Sequence, residues 1–230
     1  YSDSADDYGG GEFNGLIDDV RIYDYIRTPA QIAWDYNKGK PIAEWRFDEC
    51  QGDTVYDWAP NAEGNAGNAY PGTITASSSG SQTILGTCAS SSASSMWYNG
   101  RDGKVNGSLN FDGVDDYIII DDNQNIDLTE DFTIEFWYFP RDVDTLKLLF
   151  NNRNDPSGKG WNVILDESWK LRFNSYSGWN PEFIASNQLF SPNIWYYITI
   201  SYDGLKCRIY VNTILDNEES ITGTMATDNA

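Results

Sequence analysis

The chain has 230 residues with 15 Lys plus Arg, 35 Asp plus Glu and no histidine, which gives a formal net charge of −20. This charge argues against a nucleic acid or an anionic membrane as partner, because binding to either requires clustered Lys and Arg. The absence of histidine excludes Ser-His-Asp and Cys-His catalysis and His-ligated zinc, and it leaves carboxylate chemistry open. No run approaches the roughly 20 apolar residues of a membrane-spanning helix, so we expect no membrane insertion.

Short aromatic and β-branched runs bounded by Gly, Asn, Asp and Pro recur along the chain, and helical periodicity is scarce. Such runs predict strands because these side chains pack well on a pleated surface. The predicted strands are Leu16–Tyr23, Ala43–Phe47, Ser108–Phe111, Tyr117–Ile120, Phe132–Phe139, Leu146–Asn151, Trp161–Leu165, Lys170–Phe173, Trp195–Tyr202 and Cys207–Asn212. This series favours an all-β sandwich or jelly roll over a β-α-β protein.

One short helix is predicted after the first strand, within residues 28–41. Thr28 can cap it, Pro29 suits its first turn, and Gly39 can end it. Ile32 and Tyr36 share one face at spacing i, i+4. The helix and the linker that follows separate the N-terminal strand from the rest of the chain.

The stretch Ser77–Ser95 is rich in serine and too polar to bury much apolar surface. A crosslink between Cys50 and Cys88 would hold it, and both cysteines lie in small, polar, turn-like surroundings. The alternative is a pair of buried free thiols. Cys207 alternates with Ile209 on a predicted strand, and we interpret it as a small core residue.

Several signatures, in the expected order, resemble a laminin-G-like, concanavalin-A-like jelly-roll family. They are Glu44–Gly52 with Val55–Asp57 and Gly72–Ile74, then Leu109–Ile118, then Phe132–Trp137, and then Trp195–Gly204 with Ile209–Asn212. The resemblance implies a two-sheet jelly-roll sandwich. It also implies a lectin-like or structural module rather than an enzyme, because hydrolases of this fold carry Glu-x-Asp-x-(x)-Glu on one strand and Glu130–Glu135 lacks that spacing.

Phe13–Tyr23 resembles the family's final strand, although it stands at the start of this chain. The resemblance therefore divides the chain into a closing strand (residues 1–27), a helix and linker (28–41) and a jelly roll lacking its own closing strand (42–230). The closing segment folds back on its own molecule, completes a neighbouring chain, or belongs to the previous unit of a tandem array. The short linker favours copies in a row. The residues expected to complete the neighbouring sheet are Leu16, Ile17, Val20, Ile22 and Tyr23.

The family frequently holds Ca²⁺ where its Phe-Asp-Gly-x-Asp-Asp-Tyr turn meets the domain start and the final strand. The matching acids are Asp112, Asp115 and Asp116 in the turn, Asp48 and Glu49 at the start, and Asp18 and Asp19 in the final strand. Converging carboxylates suit calcium, which takes six to eight oxygen ligands. In the alternative, Asp112 and Asp115 accept hydrogen bonds from backbone amides of their own turn.

Aromatic residues outside the predicted strands are candidates for stacking on sugars or for contacts between copies. They are Trp58, Trp97, Tyr98, Tyr176 and Trp179, whereas Trp45, Trp137 and Trp195 fall in strand signatures and are expected in the core. The sequence thus predicts a non-enzymatic extracellular repeat unit of a surface protein or fibre, which binds Ca²⁺ and other copies of itself. The alternative is a lectin-like module that binds a glycan. A disulfide would suit an extracellular location.

Overall fold

The computed structural model describes residues 26–27, 41–59, 69–121, 126, 128, 130–142, 145–152, 159–176 and 178–225. The chain divides into two compact units, Tyr1–Lys40 and Pro41–Ala230. Several predictions lie outside the described residues: the strand with Leu16, Ile17, Val20, Ile22 and Tyr23, the ligands Asp18 and Asp19, and the helix after Thr28. All the described strands and the described helix belong to the second unit, Pro41–Ala230.

Eleven strands and one short helix make up the described part of this unit. The strands are β1 (Thr54–Val55), β2 (Gly72–Thr75), β3 (Tyr117–Ile120), β4 (Phe132–Tyr138), β5 (Lys147–Asn151), β6 (Trp161–Leu165), β7 (Leu171–Ser175), β8 (Phe183–Ala185), β9 (Tyr196–Tyr202), β10 (Lys206–Val211) and β11 (Ile214–Ser220). The helix is α1 (Met96–Gly100). In the part of the chain that the structure describes, no helix has the length and apolar character needed to span a membrane.

The strands form three antiparallel sheets, with orders β1-β2-β3, β11-β10-β9-β4 and β5-β6-β7-β8. The main hydrophobic cluster takes its side chains from both four-stranded sheets. These two sheets therefore pack face to face as a sandwich. The predicted all-β fold class is confirmed.

Strand β9 shows why the sandwich forms. Its residues alternate, with Tyr196, Ile198, Ile200 and Tyr202 buried and the residues between them half-buried. Since successive side chains of a strand point to opposite faces, this pattern places one apolar face against the core. β9 lies between β4 and β10 and pairs with both along most of its length.

A second, smaller cluster lies beneath the β1-β2-β3 sheet, around the buried side chains of Val55, Ile74, Met96 and Trp97. Helix α1 supplies two of these residues. Ser95 caps the helix, because its Oγ accepts a hydrogen bond from the Tyr98 N–H at 3.2 Å. This helix was not predicted from the sequence.

Two predicted strands are absent from residues that the structure describes. Ala43–Phe47 forms only an isolated bridge, Trp45 to Asp57, and Phe47 has a φ of 57°, which interrupts an extended backbone. In Ser108–Phe111 the Ser108 N–H donates to the Gly100 carbonyl at 2.8 Å, so this backbone bonds to the end of α1 instead of a sheet. Both predictions are corrected.

Cys50 and Cys88 form the predicted disulfide, with a sequence separation of 38 residues. The backbone pairs beside it, since the Cys88 N–H donates to the Cys50 carbonyl at 3.0 Å. Cys207 is a fully buried free thiol, and burial raises its pKa to about 12. The disulfide thus ties the serine-rich stretch to the start of the unit, while the third cysteine belongs to the core.

We expect the double substitution Cys50→Ser and Cys88→Ser to lower the free energy of unfolding by about 3 to 4 kcal/mol, because it releases a long loop in the unfolded chain. Chemical denaturation of wild type and variant under identical conditions measures the difference. Thiol titration is the control, since native wild type should show no reactive thiol and unfolded wild type one, from Cys207. Equal stability of the two proteins would contradict the expected role of the crosslink.

Candidate functional site

The turn before β3 is built around the side chain of Asp112. Its Oδ2 accepts hydrogen bonds from the N–H groups of Ser81 at 2.6 Å and Gln82 at 2.9 Å, and its Oδ1 accepts one from Val114 N–H at 2.9 Å. A Cβ at Gly80 would lie 2.0 Å from Oδ2, so the carboxylate approaches the backbone at a position that only glycine allows. Asp112 therefore joins the serine-rich stretch to the turn.

Asp112, Asp115 and Asp116 form a cluster, the acidic turn, in which one carboxylate oxygen from each lies within 4.8 Å of the others. All three side chains are half-buried. Burial raises the pKa of Asp116, and the charges of Asp112 and Asp115 raise it further. Burial also opposes ionisation of Asp112, but the hydrogen bonds from backbone N–H groups outweigh it and lower its pKa.

Two oxygens of the acidic turn, Oδ1 of Asp115 and Oδ1 of Asp116, are buried without a hydrogen-bond partner. A buried carboxylate oxygen without a partner is costly, and a cation between these groups would satisfy it and offset their mutual repulsion. The three carboxylates thus fit a hard divalent cation such as Ca²⁺, which would need further oxygen ligands to reach its usual six to eight. The alternative role, in which the side chain supports its own turn, is observed for Asp112.

The two predicted ligands at the domain start, Asp48 and Glu49, accept hydrogen bonds from other segments of the chain. Asp48 accepts hydrogen bonds from Gly107 N–H at 2.8 Å and Asn106 Nδ2 at 3.2 Å. Glu49 accepts from Tyr56 N–H at 2.9 Å through Oε1, and its Oε2 is buried without a partner. Neither belongs to the cluster of three, so the structure groups the turn acids but not the acids of the domain start.

Two of the predicted surface aromatics are core residues. Trp97 is fully buried and donates its indole N–H to the Gly52 carbonyl at 2.9 Å. Trp179 is 3% exposed, and its ring lies against Phe132 and Tyr202. Neither ring is accessible to a ligand, which corrects the prediction for these two residues. Trp58, Tyr98 and Tyr176 remain accessible.

The prediction that Trp137 lies in the core is also wrong. Its side chain is 41% exposed, on the outer face of β4. Its ring lies 5.0 Å from that of Tyr197, and the Lys104 ammonium lies 5.1 Å from its centroid. Strand alternation could have found it, since Phe136 and Tyr138 on either side pack against the core.

Residues 112–230 match the model of the family described as the concanavalin A-like lectin/glucanases superfamily. The chain belongs to this superfamily. The match begins at the acidic turn and extends over β3 to β11, and therefore covers the whole sandwich core. No curated protein matches the chain.

Among solved structures, an S-layer domain-containing protein from Clostridium thermocellum is similar at a TM-score of 0.43 and 18% identity, over 77% of this chain and 71% of that one. This chain is also similar to a carbohydrate-binding module from Bacillus subtilis, at a TM-score of 0.32 and 15% identity, over 47% of this chain and 70% of that one. The assignment to the superfamily depends on the family match and not on these two likenesses.

We expect Ca²⁺ to raise the melting temperature of the wild-type protein by about 5 to 10 °C at a hundredfold excess over its Kd. Asp115→Asn should abolish this rise, because it removes a ligand oxygen that takes no part in the turn's hydrogen bonds. Thermal melts with chelator, Ca²⁺ and Mg²⁺ measure the effect.

The matched control is Asp102→Asn, whose carboxylate is 89% exposed and outside the acidic turn. This variant should respond to Ca²⁺ as the wild type does. A wild-type melting temperature unchanged by Ca²⁺, or an equal loss of response in both variants, would rule out the site.

Proposed function

We propose that the chain is a non-enzymatic module of an exported surface protein or fibre, and that its copies join head to tail by strand complementation. The observation that carries the proposal is the division of the described strands into three sheets, where a sandwich needs two. One strand added between β3 and β4 would merge the β1-β2-β3 sheet with the β11-β10-β9-β4 sheet. The space between these two strands is the β3–β4 seam.

Within the described strands, β4 pairs only with β9 and β3 pairs only with β2, so each has one edge that no described strand covers. The residues of β4 that face the core beyond Phe132 are only half-buried. On β3, Ile119 is 55% exposed. Edges of this kind, beside apolar side chains, favour the addition of a strand.

The two sides of the seam are already near each other. Arg141, after β4, donates from Nε to Asn110 Oδ1 at 2.7 Å, in the segment that leads to β3. Lys104, before the same segment, lies over the ring of Trp137 on β4. Long side chains thus connect the two sides of the seam, which supports a separation that one added strand could fill.

The segment Leu16–Tyr23 contains a short alternating run that suits the seam. Val20 and Ile22 fall on one face and Arg21 on the other, and Asp18 precedes Val20 on the same face. The segment also resembles the final strand of this superfamily. A strand supplied by a neighbouring copy would bury Val20 and Ile22 on β4, and Asp18 and Asp19 would bring carboxylates to the junction. Calcium bound there would stabilise the contact between copies.

The disulfide and the buried third thiol support an exported module, since disulfides persist in oxidising compartments. The absence of histidine and of the hydrolase carboxylate spacing supports a non-enzymatic role. The net charge of −20 supports solubility and makes nucleic acid an unsuitable partner.

Assembly can be tested with the purified chain in Ca²⁺ by light scattering at several concentrations and by electron microscopy. We expect masses that increase with concentration and linear particles. The double substitution Val20→Asp and Ile22→Asp should give monomers, because charges on the inserted strand would be buried against β4.

The matched control is Ile26→Asp, since Ile26 is 95% exposed and lies just beyond the segment. This variant should assemble normally, and a synthetic peptide of residues 13–23 should shorten the wild-type particles. A wild-type chain that stays monomeric at every concentration would contradict the proposal.

Glycan binding is a second candidate function, favoured by the surroundings of Trp58. Its ring is 38% exposed, the Arg46 guanidinium lies 5.3 Å from its centroid, and Glu49 Oε1 accepts its indole N–H at 3.4 Å. The guanidinium lies over the ring, and the part of the indole that remains exposed is suited to packing against a pyranose ring beside these two charged groups.

A glycan array tests this candidate. Binding should be lost in Trp58→Ala and kept in Trp169→Ala, because Trp169 is similarly exposed, at 44%, but lies in the turn between β6 and β7. An array without hits, combined with polymers in solution, would leave assembly as the function.

A further inference from the structure

The outer face of the β5-β6-β7-β8 sheet carries a polar row that neither proposed function uses. Asn162 on β6 is opposite Asn174 on β7, which is opposite Phe183 on β8. Arg172, two residues before Asn174, lies on the same face. The intervening residues face the core and are at most 1% exposed: Val163, Phe173 and Ile184.

Hydrogen bonds connect this row in one direction. Arg172 donates from Nη2 to Asn174 Oδ1 at 3.2 Å, and Asn174 donates from Nδ2 to Asn162 Oδ1 at 2.7 Å. Asn162 in turn donates from Nδ2 to the Tyr176 hydroxyl at 3.1 Å. The two amides are 8% and 6% exposed, so they hold the guanidinium in a defined position.

Arg172 has no carboxylate partner among the described residues, although the chain carries a net charge of −20. By contrast, Arg46, Arg101 and Arg208 each form an ion pair. Arg172 Nε is buried without a hydrogen-bond acceptor, and the guanidinium lies 3.9 Å from the ring centroid of Phe183. A planar guanidinium that is held in place, and that no described carboxylate neutralises, is suited to bind a carboxylate through two parallel hydrogen bonds.

We infer that Arg172 and Phe183 form a binding site for a saccharide that carries a carboxylate, such as a uronic acid. The carboxylate pairs with the terminal Nη donors of Arg172 that Asn174 leaves free, and the apolar face of the sugar ring packs beside Phe183, which is 43% exposed. Asn174 and Asn162 are positioning residues, because they orient the guanidinium and are themselves buried.

The charge of the chain favours a small acidic saccharide over an acidic protein surface. A net charge of −20 repels another acidic protein, including a second copy of this chain, over the whole contact area. A short oligosaccharide carries only a few carboxylates, so this repulsion is smaller, and one carboxylate pairs with the guanidinium of Arg172. The inference rests on the glycan-binding function proposed above for the kind of ligand, and it does not depend on Trp58 or on assembly.

The test uses oligogalacturonates and the same oligosaccharides as methyl esters, first on an array and then by calorimetry with trigalacturonate and the full chain. The acidic form should bind and the ester should not. Arg172→Gln should weaken binding about tenfold to a hundredfold, and Arg172→Lys, which keeps the charge but loses the planar fork, should weaken it less. Phe183→Ala should also weaken trigalacturonate binding. Because the Phe183 ring is exposed, this variant should fold, and it provides the test if Arg172→Gln does not fold.

The matched control is Arg208→Gln. Arg208 is also a half-buried arginine on the outer face of a sheet, on β10, but Asp203 and Glu218 neutralise it. Its loss should leave trigalacturonate binding unchanged. Equal weakening by both arginine variants, equal binding of the methyl ester, or equal competition by hexaglutamate would overturn the inference. Binding of neutral glycans alone, lost in Trp58→Ala, would also overturn it while leaving glycan binding as a function.

Discussion

The packing of the alternating faces of β9 and β10 against β6 and β7 is the interaction on which the second unit depends. Ile198, Ile200, Cys207 and Ile209 are all fully buried, and they meet an equally buried set on the facing sheet. Because the side chains of a strand alternate strictly, this contact also decides which residues face outward. Trp137 on one sheet and Arg172 on the other face away from the core for this reason.

Five of the chain's 35 acidic residues support the backbone of its turns. Asp57, Asp112, Asp166, Asp203 and Asp216 each accept hydrogen bonds from at least two backbone N–H groups. Such bonds hold turns that would otherwise leave donors unpaired. The acidic turn differs, since Asp115 and Asp116 contribute two buried oxygens without a donor to a single cluster of three carboxylates. Glu49 keeps one such oxygen outside this cluster. The clustering of unpaired oxygens, and not the number of acids, distinguishes a place for a cation from ordinary turn structure.

The sequence predicted the fold well where a strand buries one complete face. β9 and β10 were recognised because their apolar residues alternate over the whole length of the strand. The strand over Ala43–Phe47 was wrong because a positive φ at Phe47 is not visible in a run that otherwise suits a strand. The site was predicted less well. The carboxylates of the acidic turn are close in sequence and were found, whereas Asn162, Arg172 and Phe183 meet only through strand register, which composition does not reveal.

Cys207 has a consequence for how the chain matures. Thiol–disulfide exchange requires a thiolate that can reach a sulfur atom. A thiol that is fully buried and has a pKa of about 12 provides almost none at neutral pH. Once β9 and β10 have paired, the Cys207 thiol is buried and cannot form a mixed disulfide. Oxidation of Cys50 and Cys88 then gives one product, the Cys50–Cys88 disulfide. An odd number of cysteines is therefore compatible with export, because folding removes the one that could produce scrambled isomers.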